Sequence, residues 1–176
     1  MTFDDAEVHH FMELALQIAE RGLEIGEVPV GCLLVHIPSK QVVGYSYNLT
    51  SLTRNATRHC EIECFAQLHS HIFEALTSEP PVDLTPHDAF LLPSELAPLK
   101  NHTIHSIITP YVEKYGLCGQ ISVDMQRLAY YLSHDCCIVV TVEPCVMCSQ
   151  TISLAGVKLV YAGKYHSSLN MTNNPS

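Results

Sequence analysis

Two short motifs, far apart in the chain, constrain the fold of this sequence more than any other feature. The first is H-x-E at residues 59–61, and the second is P-C-x-x-C at residues 144–148. Imidazole and thiolate groups are ligands that zinc prefers, and a carboxylate beside them can act on bound water. One zinc ion can use both motifs only if the fold brings them together. The predicted ligands are His59, Cys145 and Cys148, and the predicted proton carrier is Glu61.

The two motifs differ in how specific they are. With 11 His in the chain, an H-x-E is unremarkable by itself. A chance Pro-Cys-x-x-Cys is rare, on the order of 0.02 per chain. A lone C-x-x-C also fits a redox pair or half of a structural zinc site, but the sequence holds no second C-x-x-C for the latter. Together the motifs are typical of zinc enzymes that remove the exocyclic amine of a nucleobase by hydrolysis.

Each residue of the predicted centre has a chemical task. Two thiolates offset most of the charge of zinc, so its bound water needs help to lose a proton. His59 and Cys145 are predicted near helix starts, where the positive end of the dipole favours anions. Glu61, kept off the metal, would carry the proton from water to the leaving amine. The plainer alternative for Glu61 is a solvated first-turn glutamate.

The pattern of apolar residues predicts alternating strands and helices. Three helices are expected near residues 6–25, 59–76 and 144–155, and four strands near 28–36, 41–47, 137–142 and 157–162, with a polar loop at 48–58. Pro144 is expected at the first helical position. This order predicts an α/β layered fold with a partly parallel sheet. The proline-rich residues 77–136 read as an insertion with one helix, Ser122–Leu132.

Composition places the chain among single globular domains, here residues 1–176, because 47% of the residues are hydrophobic and 15% charged. No run approaches the ~20 apolar residues of a membrane span, so no membrane association is expected. The polar start, Met1 to Asp5, lacks an apolar signal segment, and the eight cysteines are expected to be reduced thiols or metal ligands. These features predict the cytoplasm, the nucleus or both.

The net charge of −9 argues against this chain holding an RNA backbone alone. Phosphate contacts need Lys and Arg. Either the substrate is small, or a basic partner or a further segment supplies the positive charge.

Three stretches carry a family resemblance. They are Glu-Val-Pro-Val-Gly at 27–31, the loop from Asn48 through Arg-Asn-Ala-Thr-Arg-His-Cys-Glu at 54–61, and Val-Glu-Pro-Cys-Val-Met-Cys at 142–148. In these stretches the chain resembles the tRNA-specific adenosine deaminases of the cytidine/deoxycytidylate deaminase superfamily. Within that group it is most similar to catalytic subunits of the eukaryotic heterodimeric enzymes that make inosine at the wobble position.

The resemblance implies a cytidine deaminase-like three-layer α/β/α fold with a mixed sheet of four to five strands. It also implies one zinc ion per chain, on the three ligands above. Asn48 would hydrogen-bond the flipped adenine and Val30 would line its pocket; the plainer alternatives are a turn residue and a strand core residue. The implied substrate is tRNA, and the implied partner is a homologous non-catalytic subunit in a heterodimer.

The sequence departs from the family in three places. Cys60 stands where the family usually has Ala, and we expect it to pair with Cys64 in the core. The insertion at 77–136 is longer than the family connection. The chain reaches Ser176 soon after the fourth strand, which suggests a shortened C-terminus. Two other functions stay open: a deaminase of free cytosine, guanine or a deoxynucleotide, and a truncated zinc-bearing partner without activity.

Overall fold

The computed structural model describes residues 2–77, 102–115 and 121–163. Over these ranges the chain forms six helices and four strands. The helices are α1 (Asp5–Glu24), α2 (Thr50–Thr53), α3 (Cys60–Thr77), α4 (His102–Tyr115), α5 (Ile121–His134) and α6 (Val146–Ala155). The strands are β1 (Gly31–His36), β2 (Gln41–Tyr47), β3 (Cys136–Val140) and β4 (Leu159–Ala162). None of these helices is both long enough and apolar enough to cross a membrane.

The four strands form one mixed sheet in the order β2-β1-β3-β4. β1 pairs antiparallel with β2 and with β3, while β3 and β4 are parallel. The connection from β3 to β4 runs through α6, as parallel neighbours require. Because β1 and β3 are antiparallel, the end of β3 and the start of β1 lie at the same edge of the sheet. The second motif begins at this edge.

Both faces of the sheet are covered by helices. Every residue of β1 is buried, and alternate side chains belong to different cores. Cys32 and Leu34 pack with α3, α4 and α5, whereas Leu33 and Val35 pack with α1. β3 is also buried along its whole length, as its apolar run predicts. The predicted three-layer α/β/α architecture is confirmed.

The outer helix α1 begins at a capping box, which its sequence encodes directly. Asp4 accepts a hydrogen bond from the Glu7 N–H, and Glu7 accepts one from the Asp4 N–H. Phe11, Leu14 and Ile18 are buried at helical spacing against the sheet. The predicted amphipathic helix over residues 6–25 is confirmed within one residue at each end.

Two glycines let the helices approach the sheet closely. A Cβ on Gly31 would lie 2.0 Å from the Ala15 carbonyl oxygen of α1. A Cβ on Gly44 would lie 2.7 Å from the Cys64 carbonyl oxygen of α3. Both distances are too short for any other residue, so the spacing of the three layers depends on these two positions.

Four predicted boundaries are wrong in detail, and one of them is the start of β4, which lies at Leu159 and not at residue 157. β1 begins at Gly31 and not at residue 28, because Pro29 lies inside a tight turn in which the Val30 N–H donates to the Val28 carbonyl. β3 covers 136–140, not 137–142. Pro144 is not the first helical residue, because Cys145 is the N-cap of α6 and Pro144 precedes it.

The insertion contributes more regular structure than its sequence predicts. The expected helix at 122–132 is present as α5, but α4 was not predicted. α4 contains Pro110, a residue that normally interrupts helices. Ile107 and Ile108 of α4 are nonetheless buried in the core beneath α3. The polar loop at 48–58 also contains the short α2, while the remaining insertion residues and the predicted C-terminal shortening lie outside the described residues.

Candidate metal centre

The first motif lies at the N-terminal end of α3. His59 immediately precedes the helix and is half-buried, and Glu61 is its second residue and only 4% exposed. The Cys60 N–H donates to Asn48 Oδ1 at 3.0 Å, and the Glu63 N–H donates to the His59 carbonyl at 3.1 Å. These contacts fix the entry of the helix, so His59 and Glu61 are held by backbone and not by a mobile loop.

The second motif lies at the N-terminal end of α6. Cys145 is the N-cap and is exposed, and Cys148 is one turn later and fully buried. The Ser149 N–H donates to the Cys145 carbonyl at 2.8 Å, and the Ser149 hydroxyl donates to the Pro144 carbonyl at 3.3 Å. Both cysteines therefore point from the first turn of a helix, where the dipole favours thiolate.

The structure brings the three predicted ligands together. His59 Nδ1 lies 3.6 Å from Cys145 Sγ and 3.5 Å from Cys148 Sγ. A tetrahedral zinc, with bonds of about 2.3 Å to sulfur and about 2.05 Å to nitrogen, would separate sulfur from nitrogen by about 3.6 Å. The three donor atoms lie within 4.8 Å of one another. Their types and spacing both fit zinc.

Among the described residues, this is the single group of His, Cys, Asp or Glu with the spacing of a metal site. Burial, followed by the nearby Glu61 carboxylate, raises the pKa of the Cys148 thiol well above its ordinary value. A divalent cation at this point would favour the thiolate and offset that cost. The buried cysteine thus fits a ligand role better than a free thiolate.

Glu61 lies beside the ligand group. Its Oε2 accepts hydrogen bonds from Cys148 Sγ and from Cys60 Sγ, both at 3.3 Å. Sequence reasoning placed Cys60 in the core with Cys64, and both are fully buried. It missed the contact with Glu61, because neighbouring residues on a helix ordinarily point about 100° apart.

A partly buried ion pair holds the residue before the first predicted ligand in place. The Arg58 guanidinium makes a two-point contact with Glu63: Nη2 lies 2.7 Å from Oε2, and Nε pairs with Oε1. The Arg58 carbonyl also accepts a hydrogen bond from the Leu49 N–H at 2.9 Å. The loop and the first turn of α3 are therefore joined on both sides of His59.

Glu27 ties the segment before β1 to the loop that follows β2. Its buried carboxylate accepts hydrogen bonds from the Leu52 and Ser51 N–H groups, at 2.7 and 3.1 Å, and from the Thr50 hydroxyl. Burial raises the pKa of Glu27, but these hydrogen bonds outweigh it and the net pKa is below 4.5. The sequence indicates Glu27 only as part of a motif, because the fold brings its hydrogen-bond partners to it.

Asn48 and Val30 lie close to the first motif. Asn48 is buried, with Oδ1 on the Cys60 N–H and Nδ2 donating to the Val28 carbonyl at 3.4 Å. Val30 is half-buried against the core that contains Cys60. Their predicted roles, adenine contact and pocket wall, stay predictions.

Comparison with known proteins assigns the family. The model of the cytidine and deoxycytidylate deaminase zinc-binding region matches residues 5–164. The chain belongs to this family. The match spans both motifs of the metal centre, so the predicted zinc cofactor of this deaminase family agrees with the donor group in the structure.

Among curated relatives, the chain is 45% identical over 62 residues to tRNA-specific adenosine deaminase 2 of Xenopus tropicalis, and 42% identical over 64 residues to that of Danio rerio. These matches cover 35% and 36% of this chain, and 35% and 29% of the relatives. A tRNA-specific adenosine deaminase of Streptococcus pyogenes is 28% identical over 71 residues, which are 40% of this chain and 43% of that protein. The predicted resemblance is confirmed, and the chain matches about a third of the length of the first two relatives.

Two solved structures are also similar. One comes from a study of A-to-I editing by tRNA:A34 deaminases, with 24% identity, a TM-score of 0.46, and coverage of 88% of this chain and 70% of that one. The other is a guanine deaminase from Bacillus subtilis, with 16% identity, a TM-score of 0.46, and coverage of 88% and 62%.

Proposed function

We propose that this chain is a zinc-dependent aminohydrolase that converts adenosine to inosine at the wobble position of tRNA anticodons. The observation that carries the proposal is the grouping of one imidazole and two thiols with the spacing of zinc ligands, with Glu61 Oε2 3.3 Å from Cys148 Sγ. The names of the partial relatives support tRNA adenosine as the substrate.

The residues of the centre divide the chemistry between them. His59, Cys145 and Cys148 would hold the zinc ion, which would supply a polarised water as the nucleophile. Glu61 accepts a proton from this water and passes it to the amine at adenine C6. A C–O bond forms, the C–N bond breaks, and ammonia leaves. Because Cys145 is exposed while Cys148 and Glu61 are buried, we expect the base to enter from the side of Cys145.

We assign the substrate contacts to Asn48 and Val30 on the family resemblance. An amide N–H can donate a hydrogen bond to a ring nitrogen of adenine. Asn48 Nδ2 makes the longer of the two Asn48 contacts, 3.4 Å to the Val28 carbonyl, and is the group we expect to turn towards the base. Val30, which is half-buried in the chain segment before β1, would form an apolar wall.

The proposal includes a partner. A net charge of −9 disfavours contact with a phosphate backbone. We therefore propose a heterodimer in which a homologous non-catalytic subunit supplies the positive charge. We also propose that the chain acts in the cytoplasm, the nucleus or both, which microscopy of the tagged full chain would test.

The test is inosine at the wobble position of an adenosine-bearing tRNA, measured by sequencing after co-expression of this chain with a candidate partner homologue. We expect inosine with the wild type. We expect Glu61→Gln to lower the rate about 10²- to 10⁴-fold at unchanged zinc content, because only the proton carrier is lost. Glu20→Gln, which changes an exposed carboxylate on α1, serves as the matched control and should keep full activity.

Zinc-loaded wild-type chain that makes no inosine with its partner would contradict the tRNA proposal. Free cytosine, guanine and deoxycytidylate would then be assayed, since the acidic charge of the chain is compatible with a small substrate. A Glu61→Gln variant with wild-type activity would contradict the proposed mechanism whatever the substrate.

A further inference from the structure

The residue between the first zinc ligand and the proton carrier is a cysteine whose thiol is not used by the metal centre. Cys60 is fully buried, and its Sγ lies 3.3 Å from Glu61 Oε2. The backbone N–H of the same residue is bound to Asn48 Oδ1. Cys60 is therefore fixed by its backbone and contacts the side chain that moves the proton.

We propose that Cys60 is a positioning residue, whose thiol donates a hydrogen bond to Glu61 Oε2 and holds this carboxylate beside the zinc ligands. The expected effect on catalysis rests on the proposed function, whereas the contact between Cys60 and Glu61 does not. It assigns a role to a side chain that the deamination chemistry leaves unused.

Two thiols share Glu61 Oε2, but they are not equivalent. A cysteine that binds zinc does so as the thiolate, which has no proton to donate. Once Cys148 is a ligand, the Cys60 thiol is the donor that remains of the two.

The position of the contact on the carboxylate also matters. Both thiol contacts fall on Oε2, the carboxylate oxygen that lies beside the predicted ligand Cys148. A carboxylate whose conformation is already fixed loses less freedom when it takes the proton. The bond between Cys60 and Glu61 thereby orients the proton carrier without touching the substrate.

Cys64 provides a matched comparison in the same helix. It lies one turn after Cys60 and is equally buried, but its thiol donates to the Cys32 carbonyl at 3.4 Å. Replacing either residue by Ala removes one buried sulfur from the same core. Only the Cys60 change removes a donor from Glu61.

The experiment compares Cys60→Ala, Cys60→Ser and Cys64→Ala with the wild type, each zinc-loaded and co-expressed with the partner. We expect Cys60→Ala to lower kcat about 2- to 10-fold, the range of one ordinary hydrogen bond, with KM and zinc content unchanged. Cys60→Ser keeps a donor and should stay within about twofold of the wild type, the lower limit of that range. Cys64→Ala should keep the wild-type kcat.

A second measurement does not depend on activity. The infrared S–H stretching band of Cys60, assigned by its loss in Cys60→Ala, should lie at the low frequency of a hydrogen-bonded thiol. Glu61→Gln replaces the charged acceptor by a neutral one, so the band should move to higher frequency. A band that does not respond to Glu61→Gln would overturn the proposed contact.

The outcomes separate this inference from the proposed function. Wild-type kcat in Cys60→Ala, or an equal loss in Cys64→Ala, would overturn the positioning role while leaving the deaminase proposal intact. A wild-type chain without deaminase activity would overturn the proposed function. The infrared band would then still decide the contact between Cys60 and Glu61.

Discussion

Glu27 shows how one buried carboxylate can organise the loops around the candidate metal centre. Its three hydrogen bonds, to the backbone N–H groups of residues 51 and 52 and to the Thr50 hydroxyl, join the segment before β1 to α2. The same two loops carry Val28 and Asn48, which are themselves joined by a hydrogen bond. Glu27 thereby stabilises the framework in which Asn48 meets the start of α3.

Glu27→Gln should lower the free energy of unfolding by about 1.5–3 kcal/mol at pH 7, the range for hydrogen bonds to a charged group. The folded pKa of Glu27 lies below the unfolded value of 4.5, so its stabilisation is present above that pH. It is lost as the pH falls through the folded pKa. Denaturant titrations of the wild type and of Glu27→Gln at a series of pH values measure this effect. The difference in their free energies of unfolding should become smaller below pH 4.5.

The exposed Glu20 provides the control for this measurement. Glu20→Gln should change the free energy of unfolding by less than about 0.5 kcal/mol at neutral pH. If the free energies of unfolding of wild type and Glu27→Gln differ as much at pH 3 as at pH 7, the charge of Glu27 is not the stabilising feature.

At the scale of whole elements, α4 and α5, which are the described parts of the segment between α3 and β3, pack in the core. α4 contributes Ile107 and Ile108 to the cluster that packs under α3. His36 at the end of β1 lies 3.0 Å from the hydroxyl of Tyr111 in α4, and Asp135 accepts from that hydroxyl. α4 is therefore attached to the sheet at the end opposite the metal centre.

Ile108→Ala should lower the free energy of unfolding by about 2–5 kcal/mol, because Ile108 is 1% exposed and its truncation leaves a cavity. Glu113→Ala, an exposed position on the same helix, is the matched control and should have little effect. Chemical denaturation of the full chain measures both. An Ile108→Ala variant as stable as Glu113→Ala would mean that α4 is not packed in the core.

The elements differ in how much of their placement the sequence could predict. α1, β2 and α3 follow from apolar periodicity, a capping signal or a turn, which are local features. α4 does not, because Pro110 argues against a helix and only packing under α3 outweighs that preference. The predicted start of α6 at Pro144 is two residues too early, because the role of Cys145 as N-cap depends on its position in the folded chain after β3.

In the candidate site, too, some features follow from local sequence patterns and others only from the folded chain. The three ligands and Glu61 were predicted because H-x-E and P-C-x-x-C encode a ligand set in short spacings. The contacts of Cys60 with Glu61, and of Asn48 with the start of α3, are contacts of the folded chain. No local sequence pattern predicts these contacts, because they depend on the conformation of the loop between β2 and α3.

At the scale of the whole molecule, the sheet brings two distant parts of the chain to one point. β1 and β3 are neighbours, so the loop before α3 and the turn before α6 meet at one edge of the sheet. The segment that contains α4 and α5 lies between the two motifs in the chain, yet it packs away from that edge. The central claim is that residues 59 and 145–148 form one zinc site.

Zinc content per chain tests this claim most directly. We predict one zinc ion per wild-type chain, measured by elemental analysis of the purified protein together with its concentration. Cys148→Ala should lose most of this zinc, because one of the three predicted ligands is gone. Cys64→Ala, which removes an equally buried sulfur outside the group, should retain it. Full zinc occupancy in Cys148→Ala would contradict the account.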